Sequence, residues 1–370
     1  MSECLIIFID GLPFFYMERM PHLSRLPERY EITPGFGYSV NIHAELFGGY
    51  TPDEIGYFGE WMLNFSRAPG RRWHLILPLL DRLFRPYPLN RGLQRIITLG
   101  YKPDHIMPNI PLRHIDKFSA VGENIHSPNF PRPTLFTMVE GLVVLNPRLV
   151  ANGERDGLLY RKGLALIEKE VKIYLPLPDL DGVGHLCGVG SAEYEAKIAE
   201  LDVWVEELAN RFMKLRPRGQ VFVISDHGMA NVKGGVYLDI EEGVGRAGRE
   251  TYLYFTDATL LRVWTFNESF KARISSYLAD LGYGRIISSE ERTLYGLTSP
   301  RFGDIIFILN EGFAFEPSFF ARSIPRAMHG YHPELLSQKG VLLHMGHQPL
   351  AEKPKRATSV FRILKEALLG

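Results

Sequence analysis

The sequence predicts an α/β protein with a central, mostly parallel sheet, flanked by helices on both faces and interrupted by inserted cap segments. Two short apolar runs rich in β-branched residues, at 5–9 and 221–225, each lead into an acidic residue and a glycine. An amphipathic stretch at residues 191–216 leads into the second run, which gives the strand–helix–strand order of a parallel sheet. The predicted core comprises residues 1–60, 136–234 and 326–370.

The composition is that of an ordinary globular protein of 370 residues. Lys and Arg together number 42, as do Asp and Glu, so the net charge predicts neither a nucleic-acid polymer nor a membrane surface as partner. Cys4 and Cys187 form neither a CxxC pair nor a disulfide framework, which favours a reducing compartment. No apolar run approaches the roughly 20 residues that cross a bilayer. We therefore expect a soluble, cytoplasmic protein.

The two predicted strands place acidic residues at one edge of the sheet. The strand at residues 5–9 ends at Asp10, and the strand at residues 221–225 ends at Asp226 and His227. Ligands of open α/β folds bind at the carboxyl ends of the parallel strands, and carboxylate and imidazole groups placed there are suited to hold a metal. Asp10 alone is equally consistent with a solvent-facing acid that caps a turn.

A predicted helix of about two turns begins at Ser39, after a stretch rich in glycine and proline, and ends at Gly48 and Gly49. The N-terminus of a helix favours anions and stabilises an alkoxide, so Ser39 is a candidate nucleophile. A serine at this position most commonly serves only as the helix cap, and the local sequence taken alone favours that role.

A third predicted strand, at residues 172–177, runs into an aspartate and a histidine spaced four apart, Asp181 and His185. The glycines between them are expected to let the backbone fold tightly around an ion. Asp179 is the second choice, because it lacks the four-residue spacing to the histidine. Towards the C-terminus, His329 precedes another glycine turn.

Two segments differ from the core and are predicted as insertions. Residues 61–135 are rich in aromatic residues, arginine and proline, and Asp81 is the only acid between residues 61 and 103. This predicts a basic, aromatic cap that meets a phosphate-bearing or stacking group, although a solvated cover or a subunit contact fits equally. Residues 235–325 contain two strand-like runs around an amphipathic helix, which predicts a small α+β insertion.

The candidate ligands have oxygen or nitrogen donors and are all predicted in loops after strands or before helices. They are called the ligand set here and comprise Asp10, Ser39, Asp181, His185, Asp226, His227 and His329. One zinc ion takes about four ligands, so the set suits two ions. Two ions roughly 4 Å apart activate a nucleophile and stabilise a leaving oxygen, which favours phosphoryl transfer over acyl transfer.

The motifs that carry these residues resemble the alkaline phosphatase superfamily, and within it the type I phosphodiesterase/nucleotide pyrophosphatase branch. They span most of the chain and are Phe8-Ile9-Asp10-Gly11, residues 39–52 with their Gly-Gly-Tyr-Thr-Pro ending, residues 181–185, residues 225–229 and His329-Gly330-Tyr331. The resemblance implies an alkaline-phosphatase-like fold with two divalent ions at the carboxyl edge of the sheet. Zn²⁺ is the first choice and Mn²⁺ the second.

Position by position, the resemblance implies that Asp181, His185 and His329 hold one ion and that Asp10, Ser39, Asp226 and His227 hold the other. Ser39 is then the nucleophile, which attacks phosphorus and forms a phosphoseryl intermediate. The implied function is that of a metal-dependent phosphodiesterase or nucleotide pyrophosphatase, a hydrolase of a small phosphate ester that is nucleotide-like or lipid-like. The oligomeric state stays open.

The chain departs from the family pattern at two places. The branch usually carries a threonine nucleophile followed by Pro-Asn-His, whereas residues 39–43 keep only the histidine in register. The asparagine that commonly holds the phosphoryl oxygens is unmatched near Gly59, which leaves Asn41, Asn64 or an arginine of the cap as its replacement. A phosphomonoesterase or a phospho-group transferase of the same superfamily therefore remains an alternative. A non-catalytic binder of phosphorylated ligands is the alternative from another class.

Overall fold

The computed structural model describes residues 2–63, 79–80, 110–120, 124–147, 155–321 and 323–370. Within these ranges the strands are β1 (Cys4–Ile9), β2 (Glu28–Ile32), β3 (Trp61–Leu63), β4 (Phe118–Ala120), β5 (Val143–Val144), β6 (Lys172–Leu177), β7 (Gln220–Ile224), β8 (Ala230–Asn231), β9 (Gly234–Val236), β10 (Tyr252–Thr256), β11 (Leu260–Thr265), β12 (Gly284–Ile286), β13 (Ile305–Leu309), β14 (Phe313–Phe315), β15 (Ala327–Met328) and β16 (Gly340–Gly346). The α-helices are α1 (Ser39–Gly48), α2 (Pro52–Ile55), α3 (Leu135–Met138), α4 (Arg155–Ile167), α5 (Asp179–Cys187), α6 (Ala192–Leu215), α7 (Ile240–Val244), α8 (Glu268–Asp280), α9 (Ser289–Leu294) and α10 (Ala357–Leu369). Short 3₁₀ helices lie at Phe14–Arg19, Leu23–Arg25, Leu112–Lys117, Pro300–Phe302 and Leu336–Gln338.

The chain divides into two compact units. The first unit comprises residues 1–51, 123–231 and 325–370, and the second comprises residues 52–122 and 232–324. The core, cap and insertion boundaries drawn from the sequence stay predictions. Much of the predicted cap, including the arginines between residues 67 and 95, lies outside the described residues.

A six-stranded sheet in the order β2-β16-β7-β1-β6-β5 forms the centre of the first unit. Strands β5, β6, β1 and β7 are parallel, whereas β16 pairs antiparallel with both β7 and β2. The predicted α/β class with a central, mostly parallel sheet is therefore confirmed. The three strands that end beside ligand-set residues, β6, β1 and β7, are direct neighbours, so their carboxyl ends lie side by side.

Successive side chains of a strand point to opposite faces of the sheet, so apolar side chains on both faces need a covering layer. Helices supply this layer on each face of the sheet. All six residues of β1 are buried. Leu5 and Ile7 belong to the hydrophobic cluster that includes Leu159 of α4 and Leu201 of α6. On the other face, the ring of Phe8 lies 5.7 Å from the ring of Phe47 in α1, and α1 packs against α10.

Helix α6 supplies the longest packing surface of the first unit. Ser191 caps it, since its hydroxyl oxygen accepts a hydrogen bond from the backbone N–H of Tyr194 at 3.2 Å. Its aliphatic stripe is buried as the helical periodicity predicts, at Ile198, Leu201, Val205, Leu208 and Phe212. The same helix also carries the buried Asp202, whose carboxylate accepts hydrogen bonds from the backbone N–H groups of His22 and Leu23.

The second unit is built on a four-stranded antiparallel sheet in the order β10-β11-β13-β12. Helix α8 packs on this sheet through Ile274 and Leu278, which join a core with Tyr252, Val263 and Phe307. None of the helices within the described residues combines the length and the apolar composition needed to cross a bilayer.

Candidate active site

The whole ligand set lies in the first unit, and six of its seven members follow strands. Asp10 follows β1, Asp226 and His227 follow β7, Asp181 and His185 lie on α5 directly after β6, His329 follows β15, and Ser39 is the first residue of α1. Three parallel neighbouring strands thus bring residues from distant parts of the sequence to one edge of the sheet.

Two groups of side chains are close enough to share an ion. Candidate ligand atoms of Asp181, His227 and His329 lie within 4.8 Å of one another, as do those of Asp10, Asp226 and His227. The His227 Nε2 atom lies 3.3 Å from Asp226 Oδ2 and 3.8 Å from Asp10 Oδ1. His227 therefore belongs to both groups.

His185 lies at the edge of the first group, with Nε2 3.3 Å from Oδ1 of Asp181. The expectation of a loop around an ion is wrong here, because both residues lie on helix α5. Their four-residue spacing puts them on one helical face. Gly184 is needed for close packing, since a Cβ atom there would lie 2.4 Å from the Met229 sulfur.

Hydrogen bonds fix the orientation of two imidazoles. The Nδ1 atom of His185 lies 2.9 Å from the carbonyl oxygen of Ala327, and that of His227 lies 3.0 Å from the carbonyl oxygen of Gly228. A carbonyl only accepts, so each Nδ1 carries the proton and donates. The Nε2 atoms face the carboxylates, and in the neutral imidazole they carry the lone pair, which is how metal-binding histidines are commonly oriented.

His329 is held in its neutral form. Its ring stacks on that of His227 at 3.8 Å, and burial, followed by the neighbouring His227 and His185, lowers the pKa of His329 well below its ordinary value. Its buried Nδ1 atom has no hydrogen-bond partner among the residues that the structure describes. A neutral imidazole is the form that binds a metal.

Neighbouring groups and burial shift the pKa values of two carboxylates, Asp10 and Asp226, in opposite directions. Burial, then Asp226 and Asp181, raise the pKa of Asp10 well above its ordinary value. The pKa of Asp226 falls to about 2, because the nearby His227 and His43 outweigh burial, which acts to raise it. Oδ1 of Asp10 is buried with no hydrogen bond to any described residue. Crowded carboxylates, imidazole nitrogens and buried ligand atoms without a hydrogen bond to a described residue fit a divalent cation such as Zn²⁺ or Mn²⁺.

Ser39 is placed as a reactive group and does not act as the helix cap. The cap residue is Tyr38, and its backbone N–H donates to Asn41 Oδ1 at 3.3 Å. The Oγ atom of Ser39 lies 3.1 Å from Nε2 of His227. In the neutral imidazole that nitrogen is the acceptor and the hydroxyl of Ser39 donates to it, and the oxygen lies beside both groups of candidate ligands.

The structure adds His43, a residue to which sequence reasoning gave no role. Its Nε2 atom lies 3.0 Å from Oδ2 of Asp226, and its ring packs edge-on against Phe8. The available signal was its spacing of four residues from Ser39 on α1, which puts both side chains on the same helical face. His43 therefore orients a carboxylate of the ligand set.

The sequence after β7 is adapted to hold Asp226 and His227. The hydroxyl of Ser225 accepts from the backbone N–H of Leu12 and donates to the carbonyl of His227, both at 2.9 Å. Gly228 lies where the chain at residues 337–339 crosses, since a Cβ atom there would be 2.2 Å from the carbonyl oxygen of Ser337. Each residue of the Ser-Asp-His-Gly run thus has a separate physical role.

Other residues considered from the sequence are engaged elsewhere or are not described. The amide of the fully buried Asn41 donates to the carbonyl of Phe36 at 2.8 Å, so it supports the loop before α1. Asp179 accepts from the guanidinium of Arg155 at 2.8 Å. Asn64 lies outside the described residues.

Part of the chain matches a known protein family. Residues 164–332 match the family model of type I phosphodiesterase/nucleotide pyrophosphatase, and this segment contains five members of the ligand set. The resemblance to this branch of the alkaline phosphatase superfamily is confirmed. The match supports a hydrolase of the phosphodiesterase class, and the family is metal-dependent. No match was found among curated proteins.

Solved structures share the fold over the whole chain. Murine ectonucleotide pyrophosphatase/phosphodiesterase 5, as an inactive variant in complex with AMP, is similar with a TM-score of 0.65 and 14% identity, covering 100% of this chain and 95% of that one. The human protein of the same name is similar with a TM-score of 0.61 and 15% identity, with the same coverage of both chains. These likenesses show the fold.

Proposed function

We propose that this chain is a two-metal-dependent phosphodiesterase or nucleotide pyrophosphatase that acts through a phosphoseryl intermediate on Ser39. The observation that carries the proposal is the 3.1 Å approach of Ser39 Oγ to His227 Nε2, because His227 belongs to both groups of candidate ligands. A hydroxyl that served only to cap α1 would not lie against this cluster.

The residues fit two divalent ions, with Zn²⁺ as the first choice. Asp181, His185 and His329 would hold one ion, and Asp10, Ser39, Asp226 and His227 would hold the other. When bound, such ions lower the pKa of an attacking hydroxyl and neutralise charge on the phosphoryl oxygens.

The chain's own residues supply the nucleophile and its orientation. Ser39 Oγ attacks phosphorus, the ester oxygen leaves, and the phosphoryl group becomes bonded to Ser39. Its position in the first turn of α1 places the developing charge at the positive end of the helix dipole. Water then cleaves the bond between phosphorus and Ser39 Oγ, which releases phosphate or a phosphate monoester and restores the hydroxyl.

The proposed substrate is a small phosphate ester, with a diester or pyrophosphate favoured over a monoester. The complex of the murine structural neighbour with AMP supports a nucleotide-like substrate. We also propose a cytoplasmic location, on the basis that both cysteines, buried Cys4 and exposed Cys187, are free thiols.

Ser39→Ala tests the nucleophile. The zinc-loaded variant is expected to lose at least about a thousandfold of the hydrolysis rate of bis-p-nitrophenyl phosphate, since the covalent step is removed. Ser276→Ala is the matched control, because Ser276 is exposed on α8, and it should keep the wild-type rate. Acid quenching during turnover, followed by peptide mass spectrometry, should find phosphate on Ser39.

Three results would contradict the proposal. Full activity of Ser39→Ala would exclude the nucleophile, and undiminished turnover by a metal-free preparation would exclude the metal requirement. Faster hydrolysis of mono- than of bis-p-nitrophenyl phosphate would replace the diesterase with a monoesterase. Tight binding of phosphorylated ligands without turnover would identify the chain as a binding protein.

A further inference from the structure

We infer that Arg155 binds the phosphoryl group of the substrate and takes the role left open by the unmatched asparagine. This inference rests on the proposed function, since it names a specificity-determining residue of the same site. Arg155 lies in the predicted core and not in the cap, where the sequence suggested that a replacement arginine would be found.

The topology places Arg155 at the edge of the sheet that carries the ligand set. It is the first residue of α4, the helix between the parallel strands β5 and β6. A helix that connects two parallel strands starts on the side where the first strand ends. The first turn of α4 therefore lies at the carboxyl edge, as do Asp10 and Asp181.

A reciprocal set of hydrogen bonds fixes this turn beside α5. Arg155 Nε donates to Asp179 Oδ1 at 2.8 Å, and the backbone N–H of Asp156 donates to Asp179 Oδ2 at 3.0 Å. In return, the backbone N–H of Asp179 donates to Asp156 Oδ1 at 3.1 Å. Asp179 is the first residue of α5, just after the end of β6, so these bonds hold the guanidinium at the same edge of the sheet as the ligand set.

The guanidinium has donors left to bind a ligand. Arginine carries five N–H donors, and within the described residues only the Nε group of Arg155 makes a hydrogen bond, so both Nη groups are unused. The side chain is 31% exposed, so a ligand can reach it. Arg216 shows the opposite arrangement, because its two Nη groups donate to the carbonyls of Ile167 and Glu170.

A planar guanidinium with two unused amino groups suits two oxygens of one phosphoryl group, which it contacts through parallel hydrogen bonds. Its contribution should increase with the negative charge of the ligand. Loss of Arg155 should therefore weaken binding of inorganic phosphate more than binding of the singly charged bis-p-nitrophenyl phosphate.

The test titrates inorganic phosphate into the zinc-loaded full-length protein by calorimetry and measures bound zinc in the same samples. Arg155→Met should keep the wild-type zinc content and lose at least about tenfold in phosphate affinity, as expected for a charge-assisted pair. Arg155→Lys should retain part of the phosphate affinity, since it keeps the positive charge but lacks the two parallel N–H donors of a guanidinium. Arg161→Met, at an exposed position on the same helix, should match the wild type.

Asp179→Asn separates ligand binding from the link between the two helices. It weakens the ion pair but keeps the guanidinium, so phosphate affinity should fall less than in Arg155→Met. Equal phosphate affinity in Arg155→Met and wild type would overturn the inference. Loss of bound zinc together with phosphate affinity in Arg155→Met would overturn it as well, and so would a fall in phosphate affinity in Asp179→Asn as large as that in Arg155→Met. A zinc-loaded wild type that does not bind phosphate would overturn it too. Phosphate binding that depends on Arg155 without turnover would instead reject only the proposed function.

Discussion

The Nε2 atom of His227 lies 3.1 Å from Oγ of Ser39, and the same nitrogen lies 3.3 Å from Oδ2 of Asp226. Its other ring nitrogen donates to the carbonyl of Gly228, which prevents the ring from turning. His227 is therefore the point at which the candidate nucleophile meets both groups of candidate ligands.

The number of zinc ions bound by each variant should follow the proposed division of the ligand set between two ions. Asp181→Asn is expected to lose one of about two zinc equivalents and Asp226→Asn the other, and His227→Ala should lose the same equivalent as Asp226→Asn, because both residues are proposed to hold that ion. Zinc is measured after dialysis against a weak chelator. Asp280→Asn, at an exposed position on α8, should retain both equivalents. Two full equivalents in Asp181→Asn would contradict the division.

The gathering of candidate ligands at one edge of the sheet could be predicted because it depends on a rule of sheet topology. Asp10, Asp226 and His227 each follow an apolar run, and neighbouring parallel strands end at one edge whatever their separation in sequence. The helix that carries Asp181 and His185 was not predicted, because glycines lower helix propensity. Tertiary packing overrides this preference at Gly184, which has no room for a side chain.

The roles of His43 and Arg155 could not be predicted from local patterns. His43 contacts Asp226, which is 183 positions away; the four-residue spacing from Ser39 gives the helical face of His43 but does not identify this partner. Arg155 depends on a helix-to-helix link through Asp179, a residue considered only as a rival ligand. The high density of arginines predicted that a phosphate-binding arginine would lie in the segment before α3, whereas the candidate arginine is the first residue of α4.

His43 should act as a positioning residue through Asp226. His43→Phe removes the N–H donated to Oδ2 and should lower zinc affinity by about 10–100-fold, in line with the loss of a partner of a metal ligand. His43→Gln can still donate and should lose less. Competition with a chromogenic chelator measures the affinity without relying on turnover.

The control for this pair is His347→Phe, because His347 is exposed and lies outside the ligand set. It should bind zinc as the wild type does. Unchanged zinc affinity in His43→Phe would show that the 3.0 Å contact does not hold the carboxylate.

The two glycines of α5 should respond in opposite directions to alanine. A Cβ atom at Gly182 would meet nothing within 4 Å, so Gly182→Ala should stabilise the protein by about 0.5–1 kcal/mol through higher helix propensity. At Gly184 it would lie 2.4 Å from the sulfur of Met229, so Gly184→Ala should cost about 1–3 kcal/mol. Urea unfolding of the metal-free protein measures both, and a shared sign would contradict the packing argument.

The acid stability of the second unit should depend on Glu241 in α7. Its carboxylate pairs with Arg113 and lies 3.5 Å from Nε2 of His114, and the side chain is 18% exposed. Burial acts to raise the pKa of Glu241, but the nearby His114 and Arg113 outweigh it and lower the pKa from 4.5 to about 2. Because the folded protein has the lower pKa, this stabilisation is complete above about pH 4.5 and disappears as the pH falls towards 2.

Glu241→Gln tests this pH dependence. At pH 7 the substitution should lower the free energy of unfolding by on the order of 2 kcal/mol, a value reduced to allow for partial exposure. The difference between wild type and variant should shrink steadily between pH 4.5 and 3, because the unfolded wild-type chain takes up a proton that the folded chain does not. Glu250→Gln, at an exposed position, should change stability little at either pH. A deficit of Glu241→Gln that stayed constant from pH 7 to 3 would mean that packing, and not the charge of Glu241, carries its contribution.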